Sequence, residues 1–119
     1  PGLSAAVLLA SADGRSIAGS HSTRLPPGFA SAVIGTPVGD VRIGTCGTAI
    51  HTGLSVTCAD IANDSAWSEE WRAACVGFGI RACHSEPIIG NDGRAIATLC
   101  LCLGEPRAPH AWELDLALF

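Results

Sequence analysis

Two apolar segments joined by a tight turn constrain the fold of this chain more than any other feature. Residues 80–89 and 95–104 are apolar at most positions, and Asn91-Asp92-Gly93 between them is typical of a β-hairpin turn. Strands that are apolar at both alternating sets of positions are usually buried on both faces. We therefore predict an α+β fold in which helices flank a central antiparallel sheet of about five to six strands.

The other segments predict short elements around this hairpin. Asp13-Gly14 suits a turn between two further strands, and the Gly- and Pro-rich segment 35–44 reads as a connector. Asp64 or Ser65 can cap a helical turn by accepting from free backbone N–H groups. The remaining predicted strands cover residues 3–10, 16–20 and 55–58, and the predicted helices cover residues 29–34, 46–51, 68–76 and 110–119.

Length and charge limit the classes of protein that this chain fits. A chain of 119 residues suits a single domain, residues 1–119. The net charge of −4 and the absence of a basic run argue against a nucleic-acid surface. No apolar run approaches the roughly 20 residues that span a bilayer, so we expect no membrane contact by this domain and a cytoplasmic location.

The cysteine and methionine counts bear on redox state and on chain boundaries. The six cysteines lie mostly in apolar strand and helix patterns, where a free thiol behaves as a small apolar group, so we predict mostly free thiols. The chain has no methionine and begins at Pro1. We expect it to be a segment of a longer protein, with incomplete terminal helices.

The last predicted helix is apolar over much of its circumference. Its apolar side chains form two stripes, which predicts burial against the sheet on one side and against another surface on the other. A homodimer formed through the terminal helices, or contact with a following domain, would provide that surface. The two stripes are Ala111, Leu114 and Leu118, and Trp112, Leu116 and Phe119.

Five sequence blocks resemble those of one family. The blocks are Cys46-Gly47-Thr48-Ala49 and the segments 56–61, 64–67, 81–88 and 105–109. Their order and content resemble a subgroup of the GAF domains, which are small ligand-sensing and dimerising domains of bacterial signalling proteins. The resemblance implies a GAF/PAS-like sheet and a ligand cavity between the sheet and its helices.

The resemblance also implies which residues line that cavity. We predict that the ligand is bound by residues in the region 58–84, with the tryptophans stacking on a planar group. An aromatic stripe is also typical of an ordinary core, and His84 can equally be a hydrogen-bonded core residue. The predicted ligand-binding residues are Asp60, Trp67, Trp71, Phe78, Ile80 and His84.

Cys46 is the candidate for redox chemistry. A thiol at a helix N-terminus has its thiolate stabilised by the helix dipole. The free methionine-(R)-sulfoxide reductases, a branch of the GAF family, resemble this chain at their G-x-C-G box and use that cysteine. They also have a cysteine in an I-A-C-D motif, whereas residues 64–71 here contain none. A structural role for Cys46 is the alternative interpretation.

A metal or haem site is a further alternative. Cys83, Cys100 and Cys102 lie on the same predicted hairpin as His84, and the C-x-C pair points to one face of its strand. There is no C-x-x-C pair, and C-x-C on a buried strand is typical of packing. We therefore expect no metal ion or haem.

These observations lead to one expected function and two alternatives. We expect a non-catalytic GAF domain that senses a small molecule within a histidine kinase or a cyclic-dinucleotide enzyme. No phosphate-binding loop and no paired-carboxylate or Ser/His/Asp arrangement can be read from the sequence. The alternatives are a dimerisation or interaction module without a ligand, and a thiol redox enzyme that uses Cys46.

Overall fold

A computed structural model describes residues 3–26, 28–39 and 42–118, with side chains up to residue 115. These residues form five strands and four helices. The strands are β1 (Leu3–Ala10), β2 (Ile17–Thr23), β3 (Val56–Cys58), β4 (Ala82–Ile89) and β5 (Ala95–Leu103). The helices are α1 (Phe29–Val33), α2 (Thr45–Thr52), α3 (Glu69–Gly77) and α4 (Ala111–Leu118).

The five strands form one sheet in the order β2-β1-β5-β4-β3. Every neighbouring pair is antiparallel, and β5 lies at the centre. β2 is an edge strand, as its polar composition predicts. The α+β fold with a central antiparallel sheet is therefore confirmed.

Local turn chemistry accounts for the β4–β5 hairpin. Gly93 adopts a φ of 83°, a left-handed conformation that costs glycine little. The side chain of Asp92 accepts a hydrogen bond from the backbone N–H of Arg94 at 3.0 Å. The Asn-Asp-Gly turn thereby fixes the register of β4 and β5.

Helix α3 begins at Ser68, the residue at which the sequence predicts its start. The side chain of Ser68 is the N-cap and accepts from the backbone N–H of Trp71 at 3.2 Å. Glu69 and Glu70 lie in the first turn, where the helix dipole favours negative charge. Asp64 instead accepts from the N–H of Ala66 at 3.1 Å and shapes the turn before the helix.

The strand register decides which side chains share a face of the sheet. Cys83 lies opposite Cys102, and Ser85 lies opposite Cys100, so these four residues point to one face. Intervening residues such as His84 point to the other face. All six cysteines are buried free thiols.

Helix α4 follows the exit turn after β5. The buried Glu113 accepts hydrogen bonds from both terminal nitrogens of Arg107, at 2.7 and 3.1 Å, and from the N–H of His110 at 2.7 Å. Trp112 is 58% exposed, so this chain by itself does not cover this member of the stripe that we expected to be buried. The side chains of Leu116 and Leu118, and all of Phe119, lie outside the part of the chain that the structure describes. No described helix is both long and apolar enough to cross a membrane.

Candidate functional site

A cavity of about 370 Å³ lies between the sheet and helices α1, α2 and α3. Its volume falls in the range of roughly 300–1,000 Å³ typical of small-molecule sites. The sheet side is formed by Leu8, Cys83, Cys100 and Cys102. The helix side includes Phe29, Val33, Cys46, Trp71, Ala74, Cys75 and Phe78.

The floor of the cavity is bordered by a buried cluster of hydroxyl and thiol groups. The Sγ atom of Cys83 is 3.1 Å from the Oγ1 atom of Thr45. The Sγ atom of Cys46 is 3.1 Å from the Oγ atom of Ser85, which donates to Thr45 at 2.9 Å. The cluster offers weak hydrogen-bond donors and acceptors without a formal charge, which suits recognition of an uncharged molecule.

Helix α2 places Cys46 at the floor because its first turn packs closely against the connector. A Cβ atom on Gly47 would lie 2.8 Å from the backbone oxygen of Pro37. A hydrogen bond with Cys100 is the main cause of a lowered pKa for the Cys46 thiol. Burial raises this pKa in part, and the hydrogen bond with Ser85 lowers it further. Cys46 is nevertheless only 9% exposed, so a substrate reaches it only through the cavity.

The lining carries little charge. Glu70 at the rim is the one charged side chain among the described lining residues, and it is exposed. A cavity with thiols, hydroxyls and apolar groups and without a lining Lys or Arg favours an uncharged ligand over an anion.

The structure brings together four of the seven candidate residues from the sequence. Trp71, Phe78 and Ile80 line the cavity, and so does the redox candidate Cys46. These placements agree with the expectation that the region between the sheet and helices forms a cavity, although ligand binding by them stays a prediction.

Trp67 lies behind the cavity wall instead of in it. It is 3% exposed, and its ring centroid is 5.4 Å from that of Trp71. The guanidinium carbon of Arg42 lies 5.1 Å from the centre of the Trp67 ring, which is within the distance of a cation–π interaction. Trp67 therefore supports Trp71 and has no direct access to a ligand in this cavity.

Asp60 has a local structural role. Its backbone oxygen accepts from the N–H groups of Asn63 and Asp64, and its carboxylate accepts from the Asn63 side chain at 3.1 Å. These bonds close the turn after β3. The structure does not place Asp60 on the cavity.

His84 lies on the opposite face of the sheet from the cavity, so its predicted place in the cavity wall is wrong. Its Nδ1 atom is 2.6 Å from Oγ1 of Thr57, and its Nε2 atom is 2.6 Å from Oε1 of Glu86. Ser55 donates to the other oxygen of Glu86 at 2.6 Å. Glu86 thus pairs with His84 and Ser55.

The Glu86 carboxylate is the charged member of this network. Partial burial alone would raise the pKa of Glu86, but hydrogen bonds from Ser55 and His84 outweigh burial and leave the pKa below its ordinary value. The network joins edge strand β3 to β4 through side chains as well as through backbone bonds.

Sequence reasoning missed Thr45 and Ser85. Thr45 is the first residue of α2, Ser85 lies within β4, and both are almost completely buried. Each element contains other polar residues, such as Thr48 and Glu86, so the sequence does not distinguish the buried hydroxyls from the exposed ones. Across 3–26, 28–39 and 42–118, no group of three or more His, Cys, Asp or Glu side chains is placed to hold a metal ion.

Comparison with known proteins gives a match along nearly the whole chain. Residues 2–118 match the family model described as GAF domain. A methyl sulfide methyltransferase-associated sensor from Methanosarcina acetivorans is 31% identical over 115 residues, which are 97% of this chain. The chain spans only 11% of the length of that relative.

Solved structures share the fold at lower identity. A domain of a putative two-component sensor histidine kinase from Sinorhizobium meliloti has a TM-score of 0.69 at 21% identity, over 97% of this chain and 69% of its own. A GAF domain/HD domain protein from Geobacter sulfurreducens has a TM-score of 0.70 at 14% identity, over 96% of this chain and 71% of its own. A type II free methionine-R-sulfoxide reductase from Thermoplasma acidophilum has a TM-score of 0.61 at 10% identity, over 96% of this chain and 70% of its own.

Proposed function

Because the chain belongs to the GAF domain family, we propose that it is a regulatory domain that senses a small uncharged molecule within a cytoplasmic signalling protein. The relative described as a sensor, and the fold shared with a domain of a sensor histidine kinase, support this class of function. The output would be produced by a domain linked to this one, such as a histidine kinase or a cyclic-dinucleotide enzyme.

The cavity is the observation that carries the proposal. It combines apolar walls from Phe29, Trp71 and Phe78 with the uncharged polar cluster around Thr45 and Cys46. Apolar walls supply binding free energy, and a few fixed polar groups orient the ligand. A ligand regulates only if it binds one conformational state better than another, so the proposal requires differential affinity for two arrangements of the helices.

Native and denaturing mass spectrometry on the same purified domain test this proposal. We expect an added mass in the native spectrum that is lost on denaturation. Ala74 lines the cavity and is exposed, so Ala74→Trp should fill the cavity with its indole ring. We expect this variant to lose the added mass.

Ala73→Trp is the matched control for that variant. Ala73 is the preceding residue of α3, is also exposed, and does not line the cavity. It should keep the wild-type ligand content. If the wild-type domain carries no ligand and small uncharged molecules do not raise its melting temperature, the sensing proposal fails.

A second candidate function is dimerisation or interaction without a ligand. Its support is the exposure of Trp112 on α4, since an apolar side chain of this size is commonly covered in a working assembly. An empty cavity combined with a concentration-dependent dimer would favour this candidate.

The thiol reductase remains the third candidate, and it rests on Cys46 and on a fold shared at 10% identity. The absence of cysteine from residues 64–71 and the burial of Cys46 weigh against it. Turnover of free methionine sulfoxide with a thioredoxin system, lost in Cys46→Ser, would establish it. Without such turnover the domain is not a reductase of this type.

A further inference from the structure

We propose that Cys100 and Cys102 form a dithiol that binds a trivalent arsenic compound carrying one organic group, with that group in the cavity. The inference rests on the proposed function, because it names a ligand class for the same cavity. The two Sγ atoms are 3.8 Å apart, and both residues line the cavity. One bridging atom on the cavity side can therefore bond both sulfurs.

A direct disulfide between the two thiols is disfavoured by the strand. Residues i and i+2 of a strand have Cα atoms roughly 6.6–6.8 Å apart, which is the upper end of the usual disulfide range. An S–S bond also needs the sulfurs about 2.05 Å apart, whereas β5 is held between two hydrogen-bonded neighbours. A bridging atom needs no such contraction.

The separation of the sulfurs excludes a linear bridge. With bonds of about 2.3 Å, the length of a zinc–thiolate bond, a separation of 3.8 Å gives a bent S–X–S angle of about 110°. A linear two-coordinate ion would need the sulfurs about 4.6 Å apart. A small movement of the sulfurs towards each other accommodates pyramidal arsenic(III), whose third bond carries the organic group.

The ligand count of the site agrees with this choice. Within the described ranges no three or more His, Cys, Asp or Glu side chains are placed to hold a common metal ion. A closed three- or four-ligand metal site is therefore not formed by these residues. An organoarsenic(III) compound needs only two sulfur atoms from the protein.

Two of the other cavity thiols contact hydroxyl groups: Cys83 contacts Thr45, and Cys46 contacts Ser85, each at 3.1 Å. A third, Cys75, lies on α3 and not on β5. The Cys100 sulfur lies 3.8 Å from the Cys102 sulfur and also hydrogen-bonds with Cys46. Bridging the C-x-C pair therefore breaks no contact to a hydroxyl group.

The reaction is a condensation that keeps the site uncharged. The hydrated arsenical, R–As(OH)₂, exchanges two As–O bonds for two As–S bonds. Each thiol proton leaves with a hydroxide as water, so two water molecules form and no atom changes its oxidation state. Reactants and product are neutral, which suits this cavity, because Glu70 at the rim is the one charged side chain among its described lining residues.

Phenylarsine oxide is the probe for the first experiment on the whole chain. After incubation with the native protein and removal of excess probe, denaturing mass spectrometry should show one retained phenylarsenic group and the loss of two hydrogens. A dithiol such as 2,3-dimercaptopropanol should remove the group, whereas an equal thiol concentration of 2-mercaptoethanol should not. Removal by the monothiol would overturn the chelate.

Cysteine variants identify the pair. Cys100→Ala and Cys102→Ala should each weaken retention by roughly a hundredfold or more, because the second sulfur no longer acts intramolecularly. Cys83→Ala should retain the probe. The control Cys58→Ala removes a buried thiol from the same face that does not line the cavity, and it should behave as wild type. Retention unaffected in the Cys100 and Cys102 variants would overturn the assignment.

Ala74→Trp separates this inference from the proposed function and leaves every thiol in place. We expect it to block probe binding by filling the cavity, while Ala73→Trp does not. If the wild type does not bind phenylarsine oxide, but carries another small molecule that is lost in Ala74→Trp, the inference fails and the sensing proposal stands. If the probe binds equally well to Ala74→Trp, the cavity is not the route to the dithiol, and binding of this ligand in the cavity fails.

Discussion

At the scale of single residues, glycine and small polar side chains determine how closely α2 approaches the connector and the sheet. Gly47 faces the backbone oxygen of Pro37, and a Cβ atom there would lie 2.8 Å from it. Backbone atoms cannot move aside as the end of a side chain can. This close approach lets Thr45 and Cys46 reach Cys83 and Ser85.

Gly47→Ala should therefore destabilise the domain by about 1–3 kcal/mol, the usual cost of overpacking. Urea unfolding measures this change in the free energy of unfolding. Gly77 at the end of α3 has open space around it, so the same substitution there should be neutral or stabilising by up to about 1 kcal/mol. Equal effects at the two positions would contradict the close contact with Pro37.

At the scale of elements, charged hydrogen bonds at its first turn attach α4 to the segment that follows β5. Glu113 is 1% exposed and accepts from Arg107 and His110. The hydrogen bonds from Arg107 are the main cause of a pKa for Glu113 of about 2, well below its ordinary value near 4.5. The start of the helix therefore depends on a carboxylate.

Glu113→Gln should lower the free energy of local opening of α4 by about 1.5–3 kcal/mol, since it weakens hydrogen bonds to a charged group. Hydrogen exchange of the α4 amides at neutral pH measures this loss. In the wild type, a carboxylate with a lowered pKa stabilises fully above pH 4.5, so protection of α4 should fall as the pH drops from 4.5 towards 2.

Glu105→Gln is the control, because Glu105 also pairs with Arg107, at 2.8 Å, but is 69% exposed. Its effect on α4 protection should stay within about 0.5 kcal/mol. A loss as large as that of Glu113→Gln would mean that the exposed pair of Arg107 with Glu105 holds the helix as strongly as the buried contact with Glu113.

The elements themselves were largely predictable, whereas the faces of the strands were not. Turn residues such as Asp92-Gly93 and Asp13-Gly14 mark the hairpins without reference to the rest of the chain. β4 is buried at four successive positions, 82–85, so alternation of polar and apolar residues could not indicate which set faces the cavity. His84 was consequently placed on the wrong face.

At the scale of the whole molecule, the exposed part of α4 raises the question of what covers it. Trp112 is 58% exposed and stacks near His110, with ring centroids 6.5 Å apart. We propose, as the sequence suggested, that two copies associate through their terminal helices. The sequence pattern of α4 carries this proposal, because apolar residues continue on both of its stripes.

Trp112→Glu should then weaken a dimer by about tenfold or more, since buried tryptophans are frequent hot spots of interfaces. Light scattering over a range of concentrations, on a protein that includes its neighbouring helices, measures the effect. Ala111→Glu adds the same charge at the adjacent exposed position and should matter less. A wild type that is monomeric at every concentration would remove the proposal.

The central position of β5 also has a mechanical consequence. Only a few residues of the chain separate Cys100 and Cys102, whose sulfurs face the cavity, from Arg107, which bonds Glu113 of α4. β5 itself is hydrogen-bonded to β1 on one side and to β4 on the other. Arg81 further ties the end of β5, by a 2.7 Å bond to the backbone oxygen of Leu103. A ligand that displaces the floor of the cavity would thus tilt β5 as a rigid element and move the first turn of α4 with it, because no long flexible loop separates the two.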